Sequence, residues 1–339
     1  MAEDGLTLLR REMARQYADA RASYDGALPD ALPIARRIRE TGRLLMLGMG
    51  ASHWANRMVL GTYRALGVDA QAEVISEHMR QPSPRRDGVT LLVSQSGESG
   101  EIAAWLGRNP SRKDQCGLTM NADSTLGRAL PALVGQGGRE KAFAATRSIV
   151  VTLALHAAIL KHLGHDAAAL RDVLDHAAPI PFAPDEAMLA PLVSCRTLIL
   201  SSRGQALGAM EAAALTFMEL ARMPAMALEL GQLLHGPAEA LSDSTALVLA
   251  RPQGEDARSV TRMAEAAASY GLSPILLDIG PQSPVAGARG VALPAAEGLA
   301  AVLLLLPAVQ TLVIEAAARR VEDFGFPRRV TKVTDGETP

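Results

Sequence analysis

Cysteine is nearly absent: Cys116 and Cys195 are the only two in 339 residues. Each sits within or beside a strand-like segment, which excludes a disulfide framework and a cysteine-rich metal site. Positive charge in excess is missing as well. Lys and Arg number 34 against 36 Asp and Glu, a formal net charge of −2, so the chain lacks the electrostatic footprint of a nucleic-acid binder. The longest hydrophobic run, Leu299 to Ile314, falls short of a membrane span and contains Pro307 and Gln310. Met1 to Arg21 mixes charges of both signs where a signal peptide would carry an apolar core. The expectation is a cytoplasmic protein with neither membrane nor nucleic acid as partner. What is present, 48% hydrophobic and 21% charged residues, is the make-up of a folded globular chain. Its length suggests two domains on a prior of about 100–200 residues each.

Leu91-Leu92-Val93-Ser94-Gln95-Ser96-Gly97-Glu98-Ser99-Gly100 reads as a buried parallel strand delivering a hydroxyl-rich loop to a helix over Gly100 to Arg108. Ser99 is a candidate N-cap. Free backbone N–H groups, the helix dipole and the serine hydroxyls would suit a phosphate there, although an ordinary serine-rich turn would look the same. Upstream, a helix is expected from about Leu6 to Tyr24, then a linker around Leu32 and Pro33. The strand at Leu44 to Leu47 runs into Gly48-Met49-Gly50-Ala51-Ser52, whose glycines let backbone approach a ligand closely. Trp54 and its neighbours replace the third glycine of a dinucleotide fingerprint. Strands near Ala70 to Ile75, Gly117 to Met120 and Ala132 to Val134 follow, then a helix over about Ala142 to Leu163. Strands alternating with helices imply an α/β fold with a doubly wound parallel sheet.

The Pro-rich segment Pro179 to Pro184 marks a boundary, and the plan repeats beyond it with strands at Leu198 to Leu200, Ala246 to Ala250 and Pro274 to Ile279. The two halves are not chemically equivalent. Arg251-Pro252-Gln253-Gly254 stands where the first half has its serines, so one half is expected to bind phosphate and the other to supply something else. The helix after Arg203-Gly204 carries Glu219 among Phe217, Met218, Leu220 and Ala221, where burial would lift a carboxyl toward the range of a general base. His235, between Leu234 and Gly236-Pro237, could move protons near neutral pH. Taken singly, each also fits a surface helix residue and a capping residue.

Together, Gly48-Met49-Gly50-Ala51-Ser52, Ser94 to Ser99, Glu140 with Thr146-Arg147, Ser202-Arg203-Gly204, Glu219, His235-Gly236-Pro237 and Pro327-Arg328 with Lys332 resemble the sugar isomerase (SIS) family. Their order is similar to that in the isomerase half of glucosamine-6-phosphate synthase. The resemblance implies two similar SIS, flavodoxin-like domains at residues 31–180 and 181–325, an N-terminal helix at 1–30 and an active-site tail at 326–339. It implies that Ser94, Gln95, Ser96 and Ser99 hold a 6-phosphate, while Ser52 and the backbone at Phe143 and Ala144 contact the sugar. Glu219 would transfer a proton between C1 and C2, His235 would assist ring opening, and Lys332 would close over the open-chain sugar. It further implies a homodimer with shared active sites and chemistry without a cofactor or a metal.

Two positions depart from the family pattern. Thr216 stands where a lysine precedes the catalytic glutamate, and Arg147 replaces the lysine that ends the Val-Ala-Ser-Thr-Lys pattern. The chain also starts with its own helix, so glutaminase activity is not expected. What remains resembles stand-alone aminosugar-phosphate deaminases and deglycases. A plain aldose–ketose isomerase and a non-catalytic sugar-phosphate sensor are the alternatives.

Overall fold

The computed structural model describes residues 4–83, 87–111 and 113–332. The chain opens with α1 (Gly5–Ala14) and, after one turn residue at Arg15, α2 (Gln16–Thr41), followed by β1 (Arg43–Gly48), α3 (Gly50–Ala65), β2 (Asp69–Val74), α4 (Ile75–Arg80), β3 (Val89–Val93), α5 (Gly100–Arg108), β4 (Gln115–Thr119), α6 (Thr125–Ala129), β5 (Ala132–Val134) and α7 (Arg147–Leu163). After α8 (Ala168–His176) and α9 (Glu186–Ser194) come β6 (Thr197–Ser202), α10 (Gly204–Ala221), β7 (Ala225–Glu229), α11 (Leu230–Leu234), β8 (Thr245–Arg251), α12 (Glu255–Ser269), β9 (Ile275–Ile279), β10 (Arg289–Leu293) and α13 (Gly298–Arg320). The chain divides into two compact units. Of the described residues, those within 14–175 and 327–332 form the first, and those within 4–13 and 176–326 the second.

In the first unit the sheet order is β2-β1-β3-β4-β5, and every pairing is parallel. Successive crossovers leave β1 toward β2 and leave β3 toward β4. The turns after β1 and β3 therefore open side by side at the topological switch point, where open α/β sheets bind ligands. Gly48 lies opposite Val93 in the register, so the glycine turn and the serine loop begin at the same level. Leu47, Leu92, Ile102, Trp105, Leu106 and Leu126 form the core beneath them.

The linker expected at Pro33 is not there. α2 continues through Pro29 and Pro33 to a left-handed Gly42, whose N–H donates to Ile38 O at 2.8 Å. A proline inside a helix costs about 3 kcal/mol. Here Ala20, Tyr24, Ala27, Ala31, Ala35 and Ile38 are all buried, and each large apolar side chain removed from water returns roughly 1.5–3 kcal/mol. α2 packs along α7, and burial of that stripe holds the helix through both prolines.

The second unit repeats the parallel topology as β10-β9-β8-β6-β7. α10 packs against α13, while Leu230, Leu233, Val260 and Met263 cover Ile199, Leu247, Leu249 and Leu276. α13 is longer than its apolar run suggested. At 23 residues it is long and apolar enough to cross a membrane, but 94% of its apolar window is buried inside the structure, which makes it a core helix. The edge strands β7 and β10 carry too few buried residues, in patterns of mixed exposure, to stand out in the sequence.

Candidate functional site

In the first unit the glycine turn is shaped by contact. A Cβ on Gly48 would lie 3.1 Å from His53 N and from Ser52 C, so a side chain here would push the first turn of α3 a few tenths of an ångström from its strand. Ser52 is buried. Met49 occupies the N-cap of α3, and its side chain makes no capping bond to the first amides of that helix.

The serine loop is folded by its own hydroxyls. Ser94 Oγ accepts from Gly97 N at 3.1 Å, and Ser96 Oγ accepts from Glu98 N at 3.2 Å. Each hydroxyl thereby spends a lone pair on the loop and keeps its proton for another acceptor. Gly97 takes φ +69°, and a Cβ there would be 2.1 Å from Ser124 Oγ. Ser99 occupies the backbone N-cap of α5, but its side chain makes no capping bond. Glu98 does not compete with an anion for these donors. Its carboxylate accepts from Thr125 N at 3.0 Å and Thr125 Oγ1 at 2.7 Å, and the Thr125 hydroxyl bond holds its pKa below the ordinary carboxylate range. Gln95 sends its side chain to Ser148, with Oε1 2.7 Å from Ser148 Oγ. Its Nε2 is buried without a partner among the described residues.

The expected helix over Ala142 to Leu163 starts instead at Arg147. The reason lies in hydrogen bonds that a longer helix would need. Thr146 N, which would donate to Ala142 O, donates to Glu140 Oε1 at 2.9 Å. Ala142 O accepts from the Lys332 ammonium, and Phe143 O lies 3.5 Å from the same nitrogen. Residues 141–145 thus form an irregular segment whose carbonyls at Ala142 and Phe143 face Lys332, with Phe143 half-buried and Ala144 buried. The structure brings Lys332 to the Phe143 and Ala144 segment in the first unit. Residues 333–339 of the expected tail lie outside the described residues.

Arg147 is wholly buried. Its guanidinium binds Asp19 Oδ2 at 3.1 Å and Gly138 O at 2.8 Å, so this substitution ties the loop after β5 to α2. Thr216 in the second unit is likewise inward: its hydroxyl donates to Ala212 O in its own helix at 3.0 Å.

In the second unit Glu219 is half-buried on the last turn of α10, with Phe217 and Leu220 buried and Met218 exposed. The full burial suggested by its apolar neighbours is not observed, because the 3.6-residue period turns them to different faces. His235 is exposed at the C-cap of α11, its N–H donating to Gly231 O at 3.1 Å, and Gly236 follows with φ +123°. The position matching the serine loop holds a buried ion pair. Arg251 Nε and Nη2 bind Asp278 at 2.7 and 2.8 Å.

Sequence reasoning missed Ser148 and the part played by the Glu140 carboxylate, which hold Gln95 from behind. The six-residue spacing of Glu140 and Thr146 was a visible signal for the second, but nothing marks a serine inside the apolar stretch of α7.

No family model matches the chain. The glutamine–fructose-6-phosphate aminotransferase (isomerizing) of Caulobacter vibrioides is 26% identical over 316 residues, covering 86% of this chain and 51% of that protein. The chain spans about half the length of the curated relatives it matches. Among solved structures, the C-terminal domain of glucosamine-fructose-6-phosphate aminotransferase from Francisella tularensis superposes with a TM-score of 0.82 at 17% identity, covering 94% of this chain and 97% of that one. The fold is that of a double-SIS protein. Tagatose-6-phosphate ketose/aldose isomerase from Escherichia coli shares it, with a TM-score of 0.82 at 17% identity over 98% and 95% of the two chains. At these identities the double-SIS likeness concerns architecture, and the chemistry has to be argued from residues.

Proposed function

We propose that this double-SIS chain is an enzyme that moves a proton between C1 and C2 of a sugar 6-phosphate, and that its substrate is an aminosugar 6-phosphate that loses its nitrogen. The serine loop carries this reading: three serines whose hydroxyl protons are uncommitted among the described residues, at a helix start on the switch point of a parallel sheet. Ser94, Gln95, Ser96 and Ser99 are assigned to the phosphate. Ser52 and the backbone of Phe143 and Ala144 are assigned to the sugar.

In this reading Glu219 takes a proton from C2 of the open-chain aminosugar and returns it to C1. The nitrogen is left as an imine at C2, and water converts the imine to a ketone and releases ammonia, or an amino acid where one is attached. His235 supplies and removes the proton during ring opening and nitrogen departure. Lys332, already donating to the carbonyls beside Phe143, is assigned to the open-chain sugar. With Arg147 and Thr216 turned inward, the chemistry proceeds without the two family lysines. The assembly we propose is a cytoplasmic homodimer in which the histidine loop serves the neighbouring subunit. Mixed dimers of Glu219→Gln and His235→Ala chains should then regain activity, and failure to do so in verified heterodimers would place both groups in one chain.

Incubation with glucosamine 6-phosphate should yield ketose 6-phosphate and ammonia in equal amounts, and Glu219→Gln should abolish turnover while substrate still binds. The likeness to a ketose/aldose isomerase favours a second reading, plain interconversion. Sugar-phosphate isomerisation without release of ammonia or amino acid would establish it in place of the first.

A further inference from the structure

Behind the serine loop, a short relay runs from Gln95 into the start of α7. Ser148 Oγ lies 2.7 Å from Gln95 Oε1 and also hydrogen-bonds Glu140 Oε2. Glu140 Oε1 accepts from Thr146 N at 2.9 Å and from Thr146 Oγ1 at 2.8 Å. Ser148 and Glu140 are 1% and 7% exposed, so protein groups have to satisfy the relay.

Its proton count does not close. The Ser148 hydroxyl has one proton and faces two oxygens, while Gln95 Nε2 is a buried donor with no partner among the described residues. Two arrangements resolve this. With Glu140 ionised, the carboxylate takes the Ser148 proton, and Gln95 satisfies Ser148 Oγ only by turning its NH2 inward, which leaves its carbonyl oxygen toward the loop. With one further proton on Glu140, the carboxyl donates to Ser148, Ser148 donates to Gln95 Oε1, and the NH2 group faces the loop. A phosphate oxygen accepts hydrogen bonds from the second arrangement and is repelled by the first.

We propose that Glu140, acting through Ser148, is a positioning residue that decides which end of the Gln95 amide the serine loop presents, and that binding of an anion selects the donor-presenting arrangement. The anion half of the proposal rests on the phosphate reading above. The relay itself does not.

Glu140→Gln builds in the missing proton. Its Oε1 can still accept from Thr146, and its NH2 can donate to Ser148. Calorimetry with inorganic phosphate and with glucosamine 6-phosphate should show Glu140→Gln binding roughly threefold to tenfold more tightly than the unsubstituted chain, the size of one hydrogen bond gained. Ser148→Ala, which removes the group that orients the amide, should bind about tenfold more weakly. Such a split is not expected of residues that merely support the fold, since both variants would then lose affinity together with Tm. Weaker binding by Glu140→Gln, or unchanged binding by Ser148→Ala, would overturn the proposal.

The relay has a second readout in the ligand-free chain. The side-chain NH2 resonances of Gln95, assigned by their loss in Gln95→Leu, should move in both Glu140→Gln and Ser148→Ala. Unmoved resonances would sink the relay whether or not phosphate binds. If the resonances move but the unsubstituted chain binds no phosphate, the phosphate reading fails, and with it the claim that an anion selects the arrangement.

Discussion

Two crossovers in this chain leave a central parallel strand and enter a helix, and they end in opposite chemistry. After β3 come hydroxyls that spend lone pairs on the loop and keep their protons. β8 ends in Arg251, 1% exposed, which donates to both oxygens of Asp278, to Thr261 Oγ1 at 3.1 Å and to Ser283 O at 3.0 Å. A guanidinium is the stronger anion ligand in principle, but four of these donor bonds are already made, and an anion would have to displace them. The helix after Arg251 also begins with Glu255 and Asp256, which supply the negative charge its dipole favours. A parallel strand feeding a helix thus offers an anion site by geometry alone. Whether it is one depends on how many donors the fold leaves unspent.

The comparison can be broken at its buried pair, where the largest effect is expected. Arg251→Ala strands the Asp278 carboxylate and should cost about 3–5 kcal/mol of stability. Both tryptophans, Trp54 and Trp105, lie in the first unit. Urea unfolding followed by far-UV circular dichroism should therefore reveal a second-unit transition at lower denaturant, with the tryptophan fluorescence midpoint little changed. A shift under 1 kcal/mol would show that the pair is not what closes this end of β8.

Acid should act on the other unit. Burial pushes the pKa of His156 down to about 3, so the folded ring stays neutral while the unfolded one takes a proton below its ordinary value of about 6.5. Its contribution is present above that value and is lost as pH falls toward the folded value, at about 1.4 kcal/mol per pH unit, or roughly 2 kcal/mol by pH 5. The second unit's His176 and His235 are exposed. Tryptophan fluorescence should therefore report unfolding of the first unit at a higher pH than circular dichroism reports loss of the remainder, and His156→Gln should narrow the gap. Coincident acid transitions in the unsubstituted chain would refute this.

A matched pair of glycines sharpens the contrast. Gly97→Ala combines a left-handed φ with a Cβ 2.1 Å from Ser124 Oγ, whereas Gly254→Ala has φ +82° and nothing within 4 Å. The first should cost about 2–3 kcal/mol and weaken phosphosugar binding, and the second about 1 kcal/mol with affinity unchanged. Equal affinity losses in thermal melts and calorimetry would erase the distinction between the two turns. The smallest effect is expected for Ser96→Ala, which removes one hydroxyl. Affinity for a phosphorylated sugar should fall about threefold to tenfold, with a small drop in Tm from the lost Glu98 N–H bond, while binding of the unphosphorylated sugar holds steady. A loss common to both sugars would take Ser96 off the phosphate.

Much of the architecture was legible in the residue order, because strand and turn signals are local. Leu91 to Val93 ending in serines, Gly48 to Ser52, and the repeat beyond Pro184 announced a parallel α/β chain with unlike halves, and both sheets have that form. Other features were settled by contacts between residues far apart in sequence, which no local pattern records. α2 runs through two prolines because α7 covers its apolar stripe. The helix expected from Ala142 starts at Arg147 because Lys332, 190 positions away, accompanies the Glu140 carboxylate in claiming groups that a longer helix would use. Gln95 is aimed by Ser148, 53 positions on. The sequence determined where donors and turns would lie. Tertiary structure alone decided which donors stay free, because a hydrogen-bonding group has few partners and the fold chooses which of them arrive.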